Sequence, residues 1–483
     1  MIKFYFTFIL SFVSVRMVAQ INDFHSSLSV EGIIASHDEV PFWLRSDQFG
    51  SVPLPGTSGS FIGAAHKDYD SAKMHVVDWG ASAEVRADIG SLSHLTLIEG
   101  YGKLRISIFE LKAGRGKEIM GLVDTSLSSG AFAVSGNALG VPKVQLSIPE
   151  YWSLPFARKL FSIKGNFAHG WLGEQPIQSS VNVNEGVTYF HQSSFYGRFG
   201  KPGWKLKLFG GFNHQVFWGS EKLVNGNKYN LSPFKTYEYV VLGRTYEGSK
   251  IGNHLGSVDL GLEYDFSGTK LFIYRQNFYD EGALAKLANI ADGLNGLSLL
   301  NKSMGRGGLQ WHKLVFELFY SKDQAGYPWS TRTASGDENY YNNYQYSDGW
   351  SYKGLGLGNP FITPAATTRT GLPNDPTDFF NNNRVVAFYS GMEGSLGKYR
   401  FRTRLSYSLN YGTFGTSQWG YSTGSIFVPP AYGIFKEVKE FSAYLEISRS
   451  ISRSLQIALD GGLDSGGLFY NSSGIILKIK KSF

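Results

Sequence analysis

The chain has 483 residues, 18% of them charged and 15% aromatic, and no cysteine, which excludes disulfide frameworks, thiolate metal sites, Cys nucleophiles and a Cys-linked lipid anchor. Its formal charge of +7 is mild and is not gathered into a stripe beside a recognition fold, which excludes nucleic acid as a partner and leaves an acidic polysaccharide compatible. With 58 glycines, 28 tyrosines and a mean hydropathy of −0.16, the composition is that of a chain whose lipid-facing and lumen-facing residues alternate and cancel in the average.

In chain order, the first element is an export signal. Lys3 precedes an apolar run through Val13, and Ala19-Gln20 offers a small residue before a cut. The run is too short to span a membrane as a helix, which needs about 20 apolar residues. Residues 1–19 are therefore expected to be a cleaved signal peptide, and 20–483 one outer-membrane barrel with a short N-terminal segment inside or beneath it.

Period-2 alternation then recurs, as it does where successive strand side chains point to opposite faces. Ala83, Val85, Ala87 and Ile89 alternate with Glu84, Arg86 and Asp88. Leu104, Ile106 and Ile108 alternate with Lys103, Arg105 and Ser107, and Trp204, Leu206 and Leu208 with Lys205 and Lys207. Val258 to Phe266 repeats the pattern against Asp259, Glu263 and Asp265. Asp280 to Lys302 breaks it: Ala283, Leu287, Ile290, Leu294 and Leu297 have helix-like spacing, so a short helical excursion in a loop or in the lumen is expected. A strand over Lys313 to Tyr320 precedes a long loop.

The clearest strand is Tyr399 to Tyr411. Tyr399, Phe401, Thr403, Leu405, Tyr407 and Leu409 share one face; Arg400, Arg402, Arg404, Ser406, Ser408 and Asn410 share the other. Its length suits a tilted membrane strand of about 9–11 residues, whereas strands of soluble proteins average about 5–6. Leu455, Ile457 and Leu459 repeat the alternation. The last strand sets Ile475, Leu477 and Ile479 against Ile476, Lys478 and Lys480 and ends on Phe483, an aromatic terminus of the kind barrel-assembly machinery reads. Charge is costly on a lipid face, so the charged rows are assigned to the lumen.

Two sets of residues are candidates for function. The loop from Tyr327 to Lys353 interleaves aromatic rings, which stack on sugar C–H faces, with amides, carboxylates and Arg, which pair with hydroxyls. Trp329, Arg332, Asp337, Asn339, Tyr340, Tyr341, Tyr344 and Trp350 are its candidate glycan contacts, against the plainer reading of a loop packed inward on itself. The second set is the basic lumen rows Arg400, Arg402, Arg404, Lys205, Lys207, Lys478 and Lys480. These either attract an anionic polymer or solute or form salt bridges with the acidic rows. Enzyme motifs occur only out of context. Gly420-Tyr421-Ser422-Thr423-Gly424 spells a nucleophile elbow without the α/β sheet it needs, and there is no His-Glu-x-x-His pair. Neither enzymatic activity nor a cofactor or metal is expected.

Several stretches, ordered along nearly the whole chain, carry a resemblance: Pro41–Gly50, Gly121–Gly130, Lys143–Tyr151, Phe195–Pro202, Gly210–Gln215, Ser335–Tyr341 and Asn374–Asp378. As a set they resemble the Wzi-type capsule-assembly outer-membrane proteins, in particular members from Bacteroidetes-type bacteria. The resemblance implies an all-β transmembrane antiparallel barrel of about 18 strands, within the known range of such barrels. It also implies a lectin-like role in attaching capsular or surface polysaccharide at the cell surface. The alternative class is an outer-membrane channel for small anionic or sugar solutes; a third is a barrel hydrolase. The expected partners are surface polysaccharide, outer-membrane lipid and, during biogenesis, the barrel-assembly machinery.

Overall fold

The computed structural model describes residues 24–483 apart from 71–75, 92, 179–182, 281, 304, 306, 326–337 and 423–425. The expected signal peptide, residues 1–19, lies outside the described residues.

Eighteen strands form one sheet. They are β1 (Phe24–Ala35), β2 (Ser58–Lys67), β3 (Val77–Gly90), β4 (His94–Ile106), β5 (Phe109–Arg115), β6 (Lys143–Ser153), β7 (Phe161–Pro176), β8 (Glu185–Phe199) and β9 (Leu206–Trp218). The second half comprises β10 (Asn253–Asp265), β11 (Thr269–Tyr279), β12 (Gly293–Asn301), β13 (Leu309–Tyr320), β14 (Val385–Leu396), β15 (Tyr399–Asn410), β16 (Val438–Ser450), β17 (Leu455–Gly466) and β18 (Ser472–Ser482). Each is antiparallel to its neighbours in sequence. The sheet closes because β1 pairs on both sides, with Val30 opposite Phe61 of β2 and opposite Ile479 of β18. Closure satisfies the backbone of every strand and leaves no edge in the hydrocarbon layer.

The alternation read from β15 sorts its side chains by solvent. Leu405 and Tyr407 are 43% and 41% exposed on the outer wall, while Arg404, Ser406, Ser408 and Asn410 are buried in the lumen. Ile475, Leu477 and Ile479 of β18 likewise face outward. An apolar outer wall on a closed barrel is stable only in lipid, and this architecture is that of an outer-membrane protein.

The two ends differ. Phe483, the start of β1 and the connections 68–76, 107–108, 154–160, 200–205, 266–268, 302–308, 397–398 and 451–454 lie at one end. The connections 36–57, 116–142, 219–252, 280–292, 321–384 and 411–437 lie at the other. Short turns mark the periplasmic end of such barrels and longer loops the extracellular end.

Sequence expectation and structure part at a few places. Ser107 takes a left-handed φ of 56° in the turn after β4, so Ile108 leaves the strand. Trp204 and Phe266 fall just beyond β9 and β10. The helical excursion expected over Asp280–Lys302 shrinks to one 3-10 turn, Ala283–Lys286, and its second half, Gly293–Asn301, is β12. Leu294 and Leu297 have helical spacing, but in a strand they fall on opposite faces. Leu294 is fully buried in the lumen, and Leu297 sits opposite the outward-facing Ile273.

Three extracellular connections turn inward and fill the barrel. From 36–57 comes a single turn, α1 (Phe42–Arg45), whose Phe42, Trp43 and Leu44 are buried. From 116–142 come Leu122, Leu127 and Phe132, and from 321–384 come Tyr340, Tyr341, Trp350, Phe361 and Phe380. Trp350 stacks on Phe217 of the β9 lumen face at 4.2 Å, and Phe132 on Phe278 of β11 at 4.0 Å.

The connection 219–252 does the reverse. It carries α2 (Glu221–Asn225) and α3 (Pro233–Leu242). The start of α3 is set by Ser232, whose hydroxyl accepts from Lys235 N, with proline at the first helical position; its end is set by Gly243 in the left-handed region. Tyr237 of α3 packs on His169, His191 and Trp218, with ring centroids 5.7, 5.9 and 5.2 Å apart. These residues lie on the outer face, in the rows of the exposed Phe167, Phe195 and Phe212. This loop therefore folds down over the outside of β7–β9.

Candidate functional site

The polar groups of the lumen wall are occupied by the inward segments. Asp259 of β10 accepts from Leu122 N at 2.8 Å and from the Tyr196 hydroxyl at 2.9 Å. Glu317 of β13 accepts from the Ser128 hydroxyl, Ser129 N and the Tyr274 hydroxyl, each at 2.6 Å. The Trp43 indole donates to Ser406 at 2.9 Å, and Phe42 N to Asp464 at 2.7 Å. Buried polar groups are costly unless paired, so these bonds hold the plug in one register.

The basic rows divide by pairing. Arg402 bridges Glu393 at 2.8 Å and Glu446 at 3.5 Å, and Arg404 meets Asp47 of the plug at 3.4 Å. Lys207 pairs with Glu263 at 2.8 Å and Lys478 with Asp460 at 2.7 Å. Among the described residues Arg400, Lys205 and Lys480 have no ion-pair partner, and all three lie towards the periplasmic end of the wall. Arg404 thus ties the wall to the plug, and Arg402, Lys207 and Lys478 tie neighbouring strands to one another.

Above the plug, at the extracellular mouth, lies a polar cleft of about 350 Å³ lined by Gln178, Asp280, Asn339, Asn342, Asn343, Tyr344, Thr377, Asp378 and Tyr421. Four connections contribute to it. The Asn343 side chain accepts from Gln345 N at 2.9 Å and Tyr346 N at 3.3 Å, a local turn that lifts Tyr344 clear of the plug. Asn342 and Phe380 exchange hydrogen bonds, Asn342 Nδ2 to Phe380 O at 2.8 Å and Phe380 N to Asn342 Oδ1 at 2.9 Å. This pair ties the 338–352 stretch to Thr377 and Asp378. Asp280 accepts from Tyr341 N at 3.1 Å, and Asp375 accepts from the Tyr421 hydroxyl at 2.7 Å.

Tyr344 and Tyr421 stay 59% and 41% exposed. Asp378 is only 8% exposed; one carboxylate oxygen accepts from Asn339 Nδ2 at 3.1 Å, and the other has no hydrogen-bond partner. Burial, and after it the neighbouring Asp375 carboxylate, push the Asp378 carboxyl up to about 7. Exposed rings beside convergent amides and carboxyls, in a cleft of this size, are suited to a hydroxyl-rich ligand.

The candidate contacts read from the 327–353 loop separate into three groups. Asn339 and Tyr344 line the cleft. Tyr340, Tyr341 and Trp350 are 0% exposed, which corrects their assignment as glycan contacts: they are the core of the plug. The Tyr340 hydroxyl donates to Asp292 at 2.7 Å, the Tyr341 hydroxyl donates to Phe132 O, and the Trp350 indole donates to Ala133 O at 2.8 Å. Trp329, Arg332 and Asp337 lie outside the described residues. Sequence reasoning missed Gln178, Asp280, Thr377, Asp378 and Tyr421, because each comes from a different or more distant stretch. The one available signal was the Asn374–Asp378 motif, with its turn-forming Asp and Pro.

The Ser of the nucleophile-elbow spelling is fully buried and tied into a turn. Ser422 Oγ accepts from Val428 N at 2.8 Å and donates to Val428 O at 3.2 Å.

No family model matches the chain, and no curated protein matches it in sequence. Among solved structures it is similar to Wzi of Escherichia coli, described as an outer-membrane protein involved in group 1 capsule assembly and a carbohydrate-binding β-barrel. That similarity covers 94% of this chain and 83% of the other, at 12% identity and a TM-score of 0.55. OprD of Pseudomonas aeruginosa matches over 96% of this chain and 94% of its own, at 12% identity and a TM-score of 0.45. OccAB2 of Acinetobacter baumannii matches over 96% and 98%, at 12% identity and a TM-score of 0.47. The likeness to Wzi shows a shared barrel fold.

Proposed function

We propose that this outer-membrane barrel binds capsular or other surface polysaccharide at its extracellular mouth, as a Wzi-type lectin that acts by attachment and without catalysis. The observation that carries the reading is the combination of a packed lumen with an open polar cleft above it, bearing Tyr344 and Tyr421. A solute channel needs a continuous water path, whereas here Trp43, Phe132, Tyr340, Tyr341 and Trp350 fill the bore and Arg402 and Arg404 are paired. The fold shared with a carbohydrate-binding barrel supports the same reading. Barrel-assembly machinery is the proposed partner in biogenesis.

The test is a titration of the detergent-folded protein with the surface polysaccharide of its own strain, for wild type and Tyr344→Ala. Saturable binding that weakens about tenfold or more in the variant, the scale of losing one stacked ring, is the expected result. Equal binding by both proteins would remove the cleft from the site.

A further inference from the structure

The composition leaves an acidic polysaccharide as a compatible partner because the chain is net positive. The placement of charge argues otherwise. Of the described side chains lining the cleft, two are carboxyls, Asp280 and Asp378, and none is Lys, Arg or His. Asp375 stands directly behind, bonded to Tyr421 and raising the charge cost at Asp378. At the opposite end, the described periplasmic turns carry Arg158, Lys159, Lys201, Lys205, Lys398 and Arg453. The chain's excess positive charge is therefore concentrated at the end a surface polymer does not reach, and the Debye length of about 8 Å at physiological salt screens it from the mouth.

We infer that the cleft takes uncharged, hydroxyl-rich sugar residues and turns uronates away. This rests on the glycan-binding reading and narrows it. The cleft is lined by the amides of Gln178, Asn339, Asn342 and Asn343 and by the Thr377 side chain, which suit sugar hydroxyls. A pyranose ring laid on Tyr344 or Tyr421 presents C–H groups to the ring and hydroxyls to Asn339, Asn343 and Thr377. A uronate in the same place brings a further carboxyl group beside Asp280 and Asp378, and among the described lining residues no cation meets it.

The experiment uses the full barrel and the surface polysaccharide of its own strain, native and after its uronate carboxyls have been chemically reduced to alcohols. Affinity that is unchanged or higher after reduction supports the inference. Affinity that falls about tenfold or more on reduction overturns it while leaving the glycan reading intact, because the carboxylate would then be what is recognised. No binding of either form would overturn both. A gain-of-function variant gives an independent reading. Gln178 lines the cleft with an exposed side chain, and the hydrogen bond it donates is from its backbone, to Gln345 O. Gln178→Lys is therefore compatible with the fold, and it is expected to raise binding of a polyuronate such as polygalacturonate several-fold over wild type. Wild-type binding of polygalacturonate already tighter than that of a neutral glucan would contradict the inference.

Discussion

Within one stretch, residues 338–352, neighbouring side chains serve opposite regions of the molecule. Tyr340, Tyr341 and Trp350 point down and are sealed in the plug; Asn339, Asn343 and Tyr344 point up and line the mouth. The plug is over-determined: its rings stack on the wall, its backbone is bonded to Glu317 and Asp259, and its cation partner Arg404 is buried. The mouth is under-determined: it keeps the rings of Tyr344 and Tyr421 exposed. Residues sealed among other side chains serve stability, and the residues left exposed at the mouth are those proposed to meet a ligand.

The largest expected effect breaks the plug side of that comparison. Glu317→Ala removes the acceptor of three buried hydrogen bonds and should cost about 4 kcal/mol or more, since each stranded donor costs about 1–3 kcal/mol. Urea unfolding in detergent, followed by tryptophan fluorescence, measures it; a loss under about 1 kcal/mol would mean the plug is not held there. Trp350→Ala should cost about 3–5 kcal/mol, the range for emptying a large buried aromatic site, and should introduce a leak in planar bilayers. Tyr344→Ala, six residues earlier, should lose glycan binding with stability changed by no more than about 0.5 kcal/mol.

A pH titration sharpens the mouth side. The Asp378 carboxyl titrates at about 7 in the folded protein and near 4 when unfolded. The folded state therefore holds an extra proton between these values. The stability this contributes is complete below about pH 4 and is lost as pH rises through about 7. Wild type should lose about 2–4 kcal/mol of stability across that window relative to Asp378→Asn. Parallel pH profiles of the two proteins would count against a strained carboxyl at the mouth. The smallest effects belong to the periplasmic rim. Arg400→Gln and Lys205→Gln remove cations with no ion-pair partner among the described residues, and should leave stability within about 0.5 kcal/mol and glycan affinity unchanged.

The barrel was legible in the sequence because lipid and lumen impose a strict two-residue period, and β15 shows it residue by residue from Arg400 to Asn410. The segment that became β12 was misleading because a plugged lumen is apolar: Leu294 meets the plug and Leu297 faces outward, so both faces carry leucine and the alternation disappears. The site was legible only in part. Aromatic and amide density marked the 327–353 loop, but density alone does not separate a ring packed on Phe217 from one held above it. Asp280, Asp378 and Tyr421 are brought together by loop docking, which leaves no local pattern. The overall charge of +7 says nothing of where charge sits, because charge is a sum and the cleft, whose described lining carries two carboxyls and no cation, is a place.

The central claim is a sealed barrel that presents a glycan cleft. It is tested most directly on one detergent-folded preparation, by recording single-channel conductance in a planar bilayer while titrating the polysaccharide of the protein's own strain. The expected result is saturable glycan binding with no steady conductance. Steady conductance without glycan binding would contradict it and make the protein a channel.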